Sequence, residues 1–270
     1  MGLGMINIIV ALDCEAKPLI THFDLQRQQR HAYPLYHSAN MQLIVSGVGM
    51  LNAATATGYL AGLSNDSAAW LNIGIAGHQT HTLGELYLAH KISNQQTEQS
   101  WYPGFTFKCK IPTAGLTSFA EPVTDYHDDL LHDMEAAGFY QAASRFNSAE
   151  FIHCLKIVSD NAERGTHNIN KHMVTELITT KLETIVEFTN ALAAQLARWN
   201  EITATPGIYA ELLQRWHFST YQQHQLKQLV KRWSTLHPGQ ELVIAKLPSL
   251  RNSRDVLHYL QKSLDIVVEA

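Results

Sequence analysis

Three carboxylic acids stand where a carboxyl can do proton chemistry: Glu15 in VALDCEAKPLI, Glu135 in HDMEAAGFY and Asp160 in LKIVSDNAE. Each follows a short apolar run or opens a helical one. A carboxyl just beyond a buried strand is partly desolvated, so its pKa rises and it can hold a proton near neutral pH for general-acid work. Asp160 suits that description best. Each acid also has a purely structural reading. Ser159, Asp160 and Asn161 are all good helix caps, a glutamate at position 15 suits the positive end of a helix, and Glu135 reads equally as an exposed first-turn residue. From the residues alone, capping comes first for Asp160, dipole complementarity is at least as good for Glu15, and the two readings of Glu135 are even.

The elements that must position these acids follow an α/β rhythm. Short β-branched runs recur at residues 6–12, 41–46, 70–75, 83–92 and 151–158, several of them followed by helical periodicity. INIIVAL and WLNIGIAG are continuously apolar rather than alternating, which predicts strands covered on both faces in a mainly parallel central sheet flanked by helices. In such sheets ligands bind where strands run out into loops. Residues 13–15, 46–49, 74–78 and 159–161 are therefore expected around one crevice, with Ala76, Gly77 and Ser159 among its walls. VSGVGMLNAATATG reads as a strand turning through Gly47 and Gly49 into a small-residue helix, but Asn52 stands where a dinucleotide fingerprint has its third glycine. The turn predicts architecture without a dinucleotide. After Asn168 a long amphipathic helix (Val174, Leu177, Ile178, Leu182, Ile185, Phe188, Leu192, Leu196) closes the domain. Pro206 and Gly207 break it, and short amphipathic helices follow. The expected organisation is an α/β domain at residues 1–198 and a helical appendage at 199–270.

In order and spacing, ALDCEA, SGVGMLNAA, NIGIAGHQTHTLGELYLAHKI, DMEAAGF and IVSDNAE resemble the nucleoside phosphorylase and nucleosidase family, most closely its methylthioadenosine/S-adenosylhomocysteine nucleosidase branch. The likeness spans most of residues 5–197 and turns the readings of the three acids toward function. It implies a nucleoside phosphorylase-like fold and cleavage of a purine nucleoside's N-glycosidic bond through an oxocarbenium-like transition state. By position, Asp160 matches the general acid that protonates N7 of the base, and Glu15 the carboxylate that activates water. Glu135 matches the acceptor of the ribose hydroxyls, and Met134 the residue packed against the ribose. Phe119, in GLTSFAEP, matches the aromatic that stacks on the base, and Val48 a wall near the 5′ substituent. The resemblance also implies a homodimer and neither metal nor organic cofactor. The chain departs from the family's pattern at Ile75 and His78, in a loop that there has a small hydroxyl residue and paired glycines. The stretch before DMEA is short for the family.

Water is preferred to phosphate as nucleophile, because phosphate asks for arginine forks or aligned backbone N–H groups. No arginine lies between Arg30 and Arg145; Arg145 and Arg164 are the ones that the fold would have to bring in. A phosphorylase, and a nucleoside-binding protein without turnover, are the alternatives. A net charge of −4, with charged residues at 16% and no block of one sign, offers no footprint for nucleic acid or a membrane surface. Cys14, Cys109 and Cys154 are scattered and odd in number, which points to a reducing, cytoplasmic setting. Cys14 has no evident base partner and reads as packing. His78 and His81 in HQTH lack the helical spacing and the acidic partner of a metal site, and KQLVKRW reads as the solvated face of a helix.

Overall fold

The computed structural model describes residues 4–63, 67–123, 125–162, 165, 169–237, 242 and 250–268. The chain divides into two compact units, Met1–Asn200 and Glu201–Ala270.

In the first unit, β1 (Met5–Val10) leads to α1 (Asp13–His22). The short strands β2 (Gln26–Gln28) and β3 (Leu35–His37) come next, then β4 (Met41–Val45) and α2 (Met50–Leu63). The long strands β5 (Ala68–Gly77) and β6 (Leu86–Asn94) precede β7 (Ser100–Trp101), β8 (Thr113–Ser118) and β9 (Leu131–Asp133). Then follow α3 (Ala136–Ala143), β10 (Ile152–Asp160) and α4 (Lys171–Thr203). The long amphipathic helix expected after Asn168 is α4, which buries Val174, Ile178, Ile185, Phe188, Leu192 and Leu196.

The strands of the apolar runs are buried on both faces, as their continuous character predicts. Ile6, Ile8 and Val10 of β1 pack with Leu19 of α1 and with Ile178, Ile185 and Leu192 of α4. Ile9 faces the other way, into a core shared with Ala53, Ala56 and Leu60 of α2 and Phe139 of α3. The sheet departs from the expected mainly parallel one. Parallel pairs join β1 to β4 and β5, β5 to β10, β6 to β8, and β8 to β9. Pairs β10–β6, β5–β9, β3–β4, β2–β3 and β6–β7 are antiparallel. Because β10 pairs with both β5 and β6, the path β10-β6-β8-β9-β5 returns on itself as a small barrel, from which β1, β4, β3 and β2 extend as an open sheet. Register shifts in β6 between Ala89 and Lys91, and in β10 between Val158 and Asp160, are irregularities of the kind that bend strands enough to close.

The second unit carries α5 (Ile208–Arg215), α6 (Thr220–Leu236) and α7 (Ser253–Val268). Leu212, Phe218, Leu226, Val230, Val256 and Leu260 form its own small core. Ser219 caps α6 and exchanges bonds with Gln222 in a capping box. Among the described residues no helix is long and apolar enough to cross a membrane.

Candidate active site

A cleft of about 630 Å³, part of it continuous with solvent, opens at the carboxyl ends of β1, β5 and β10. Glu15, Val48, Ala76, Gly77, Met134, Glu135, Ser159 and Asp160 all line it. Chain segments far apart in sequence thus bring both expected proton-transfer carboxyls to one cavity. Phe119 does not line it: its ring lies 4.7 Å from that of His132, which does. The aromatic on the cavity wall is instead Tyr126, with Pro122 and Val123 beside it.

Glu15 sits at the third helical position of α1 and is 2% exposed. Its Oε2 accepts the backbone N–H groups of Ala11 and Leu12, both at 2.9 Å, and its Oε1 accepts that of Ile75 at 3.2 Å. This is the returning half of a capping box, so the structural role is met by the same carboxyl that lines the cavity. Burial pushes its pKa up, opposed by Lys156 and the three N–H donors. Gly74 makes the arrangement possible, since a Cβ there would stand 2.8 Å from Glu15 Oε1 and 3.4 Å from Lys156 Nζ.

Lys156 stands as a lone charge in the middle of the apolar run CLKIV, a signal of a buried partner beyond the roles expected of the three acids. It is fully buried in β10, with Nζ 2.8 Å from Asp133 Oδ2. Burial alone would lower its pKa, but Asp133 and Glu135 outweigh that and its pKa is raised. Asp133 also accepts the Ser118 hydroxyl at 2.5 Å and the Ala136 N–H at 2.9 Å, so it holds the first turn of α3 as well. Glu135 stands at the N-cap position of α3, 7% exposed rather than on the surface. Its Oε1 accepts the Gly49 N–H at 2.9 Å, at a turn whose φ of 107° favours glycine. The SGVG turn is thereby tied to a carboxyl and, through Val48, walls the cavity. Desolvation raises the Glu135 pKa to about 7, with Lys156 pulling it down and Asp133 and Glu15 adding to the rise.

Asp160 is the last residue of β10, 3% exposed, and among the described residues it caps no helix. Its Oδ1 accepts the Ser159 hydroxyl at 2.6 Å, and its Oδ2 accepts the Tyr126 hydroxyl. Glu15 lies over Gly74 and Asp160 beside Gly77, positions about 10 Å apart along β5. Among the described residues no arginine lines the cleft; Arg164 lies outside them.

HQTH does acquire an acidic partner, through the fold. His78, His81 and Asp129 place possible ligand atoms within 4.8 Å of one another. The donor chemistry is nonetheless unsuited to a metal. Nδ1 of His78 accepts the N–H groups of Thr80 and His81 at 3.1 and 3.0 Å, so in the neutral ring the proton sits on Nε2, 3.3 Å from Asp129 Oδ1. A ligating imidazole normally donates its other nitrogen's proton rather than accepting there. The His81 ring also lies flat on His78, with centroids 3.5 Å apart, so their in-plane lone pairs run side by side instead of converging.

Comparison with models of known protein families gives no match, and comparison with curated proteins gives none either. Solved structures do match. The Arabidopsis thaliana 5′-methylthioadenosine nucleosidase is similar with a TM-score of 0.60 at 15% identity, over 71% of this chain and 97% of that one. The 5′-methylthioadenosine/S-adenosylhomocysteine nucleosidase of S. pneumoniae, bound to a transition-state inhibitor, gives 0.59 at 18% identity, over 70% and 99%. That of Colwellia psychrerythraea, in complex with adenine, gives 0.57 at 16%, over 72% and 96%. Over about 70% of its length the chain therefore shares the fold of these nucleosidases, as the resemblance in sequence implied.

Proposed function

We propose that the protein hydrolyses the N-glycosidic bond of a purine nucleoside or 5′-modified nucleoside, with water as nucleophile. The observation that carries this reading is the convergence of Glu15, Glu135 and Asp160 on one cavity in a fold shared with nucleosidases. In this reading Asp160 gives a proton to N7 of the base as the C1′–N9 bond breaks, so the bonding pair leaves with a neutral purine. Water attacks C1′ from the opposite face and passes its proton to Glu15, much as in an inverting glycosidase. Glu135 accepts from the ribose hydroxyls, and those bonds strengthen as positive charge grows on the sugar. Lys156 keeps negative charge tolerable behind the cavity. Met134 and Val48 supply apolar contact to the ribose and its 5′ substituent, which suits a thioether or another uncharged group.

The cleft offers no arginine among its described residues, which favours hydrolysis over phosphorolysis. The deciding experiment is a nucleoside panel led by 5′-methylthioadenosine and adenosine, assayed for free base with and without phosphate. Hydrolysis predicts base release that is independent of phosphate; a phosphate-dependent sugar 1-phosphate product would select the phosphorylase. Asp160→Asn is expected to slow release by about 10²-fold or more while nucleoside binding persists. Tight binding by the wild-type protein with no base released would overturn the reading.

A further inference from the structure

Residues 125–130 form a strap on one side of the cavity, and three of its side chains reach two different strands and the residue that follows a third. The Tyr126 hydroxyl donates to Asp160 at the end of β10. Asp128 Oδ1 lies 2.7 Å from His132 Nε2 in β9, and Asp129 Oδ1 lies 3.3 Å from His78 Nε2 just beyond β5. The anchors differ in depth. Asp129 has its side chain 89% exposed, whereas Tyr126 is 6% exposed and its ring leans on His132 at 5.2 Å. Its seat has no room to spare, because a Cβ on Gly77 would overlap the Tyr126 hydroxyl.

Asp160 therefore meets the cavity with both oxygens occupied, one by Ser159 and the other by Tyr126. The Ser159 contact comes from the neighbouring residue of the same strand, whereas the Tyr126 contact comes from the strap. We propose that Tyr126 is a latch: its hydroxyl closes the strap onto Asp160, and a nucleobase gains that carboxyl by displacing it. This rests on the nucleosidase reading for the identity of the displacing group. Tyr126 is in this role a positioning residue that sets how readily substrate engages, and therefore KM, rather than the rate of bond cleavage.

Tyr126→Phe removes the hydroxyl and keeps the ring that packs on His132, which makes it the variant of choice. Amide hydrogen exchange of the full-length free protein should show residues 125–130 exchanging about 10-fold faster in Tyr126→Phe, with β1 and β5 unchanged. Equal exchange in the two proteins would overturn the latch. Calorimetric titration with adenine should show about 5- to 10-fold tighter binding by Tyr126→Phe, the size of one hydrogen bond given up on binding. KM for 5′-methylthioadenosine should fall by the same factor with kcat within about 2-fold. Weaker adenine binding, or a raised KM, would mean that the hydroxyl serves the base and would overturn the proposal. Faster strap exchange with adenine bound by neither protein would sink the nucleosidase reading while the latch on Asp160 stands.

Discussion

Behind the cavity floor, three buried carboxyls share one buried ammonium. Lys156 touches Asp133 directly and lowers the proton affinity of both Glu15 and Glu135. Removing one partner of such a group leaves charge without compensation, so Lys156→Met is expected to destabilise the protein by about 3–5 kcal/mol, measured by urea unfolding. A loss under about 1 kcal/mol would show the cluster to be less tightly coupled than its geometry implies. Glu135 makes a second test at this scale. Its folded pKa of about 7 lies above the ordinary 4.5, so between those values the folded state binds more protons than the unfolded one. The resulting stabilisation is fully present below pH 4.5 and is lost as pH rises through about 7. Its size is on the order of 3 kcal/mol. Glu135→Gln keeps an oxygen for the Gly49 N–H but cannot titrate. Unfolding at pH 5 and pH 8 should therefore show a larger fall in stability for wild type than for the variant; equal falls would refute the assignment.

At the scale of elements, α3 is fixed to the sheet and to α2 by contacts that leave no slack. Asp133 and Ser118 accept its first N–H groups, from Ala136 and Ala137. Gly138 lies against the first turn of α2, where an added Cβ would overlap the Met50 carbonyl. Gly138→Ala is expected to cost about 2–4 kcal/mol, because backbone rather than a flexible side chain must move. Gly58 and Gly62 in α2 have nothing within 4 Å of such a Cβ, so alanine at either should stabilise by up to about 1 kcal/mol. Thermal melts of the three variants check the contrast, and a Gly138→Ala protein as stable as wild type would disprove the close approach. The legibility of elements follows apolar content more than length: β4 reads MQLIV in five residues, whereas β8 reads TAGLTS in six. β1, β4, β5, β6 and β10 each carry enough apolar residues to be read from the chain. The strands β2, β3, β7, β8 and β9 lie outside the apolar runs; LHD of β9 has three residues and no periodicity, and it pairs with β5 and β8 within the barrel.

At the scale of the whole molecule, the two units have separate cores. That of the first includes α4 as far as Leu196, while that of the second is built from residues of α5, α6 and α7 and from Phe218. We propose that the first unit folds alone. A chain shortened to residues 1–203 should unfold cooperatively, bind adenine as the full-length protein does and lose only a smaller calorimetric transition. Failure of this fragment to fold would make the second unit part of the domain. We likewise propose the homodimer that the resemblance implies, and sedimentation equilibrium in solution decides it.

The amino-acid sequence by itself determined what lies close along the chain. It placed Glu15 at a helix start, Asp160 at the end of a buried strand and Gly49 in a turn before a helix, because those features rest on backbone preference and on the period of apolar residues. It also carried the order of motifs that marks the fold. Only the tertiary structure decided the direction of strand pairing, since an apolar run records burial and is indifferent to whether its neighbour runs parallel or antiparallel. The same holds for side chains whose roles come from distant partners. Lys156 has meaning beside Asp133 and above Gly74, and Tyr126 takes the cavity wall expected of Phe119 because barrel closure brings its loop against Asp160.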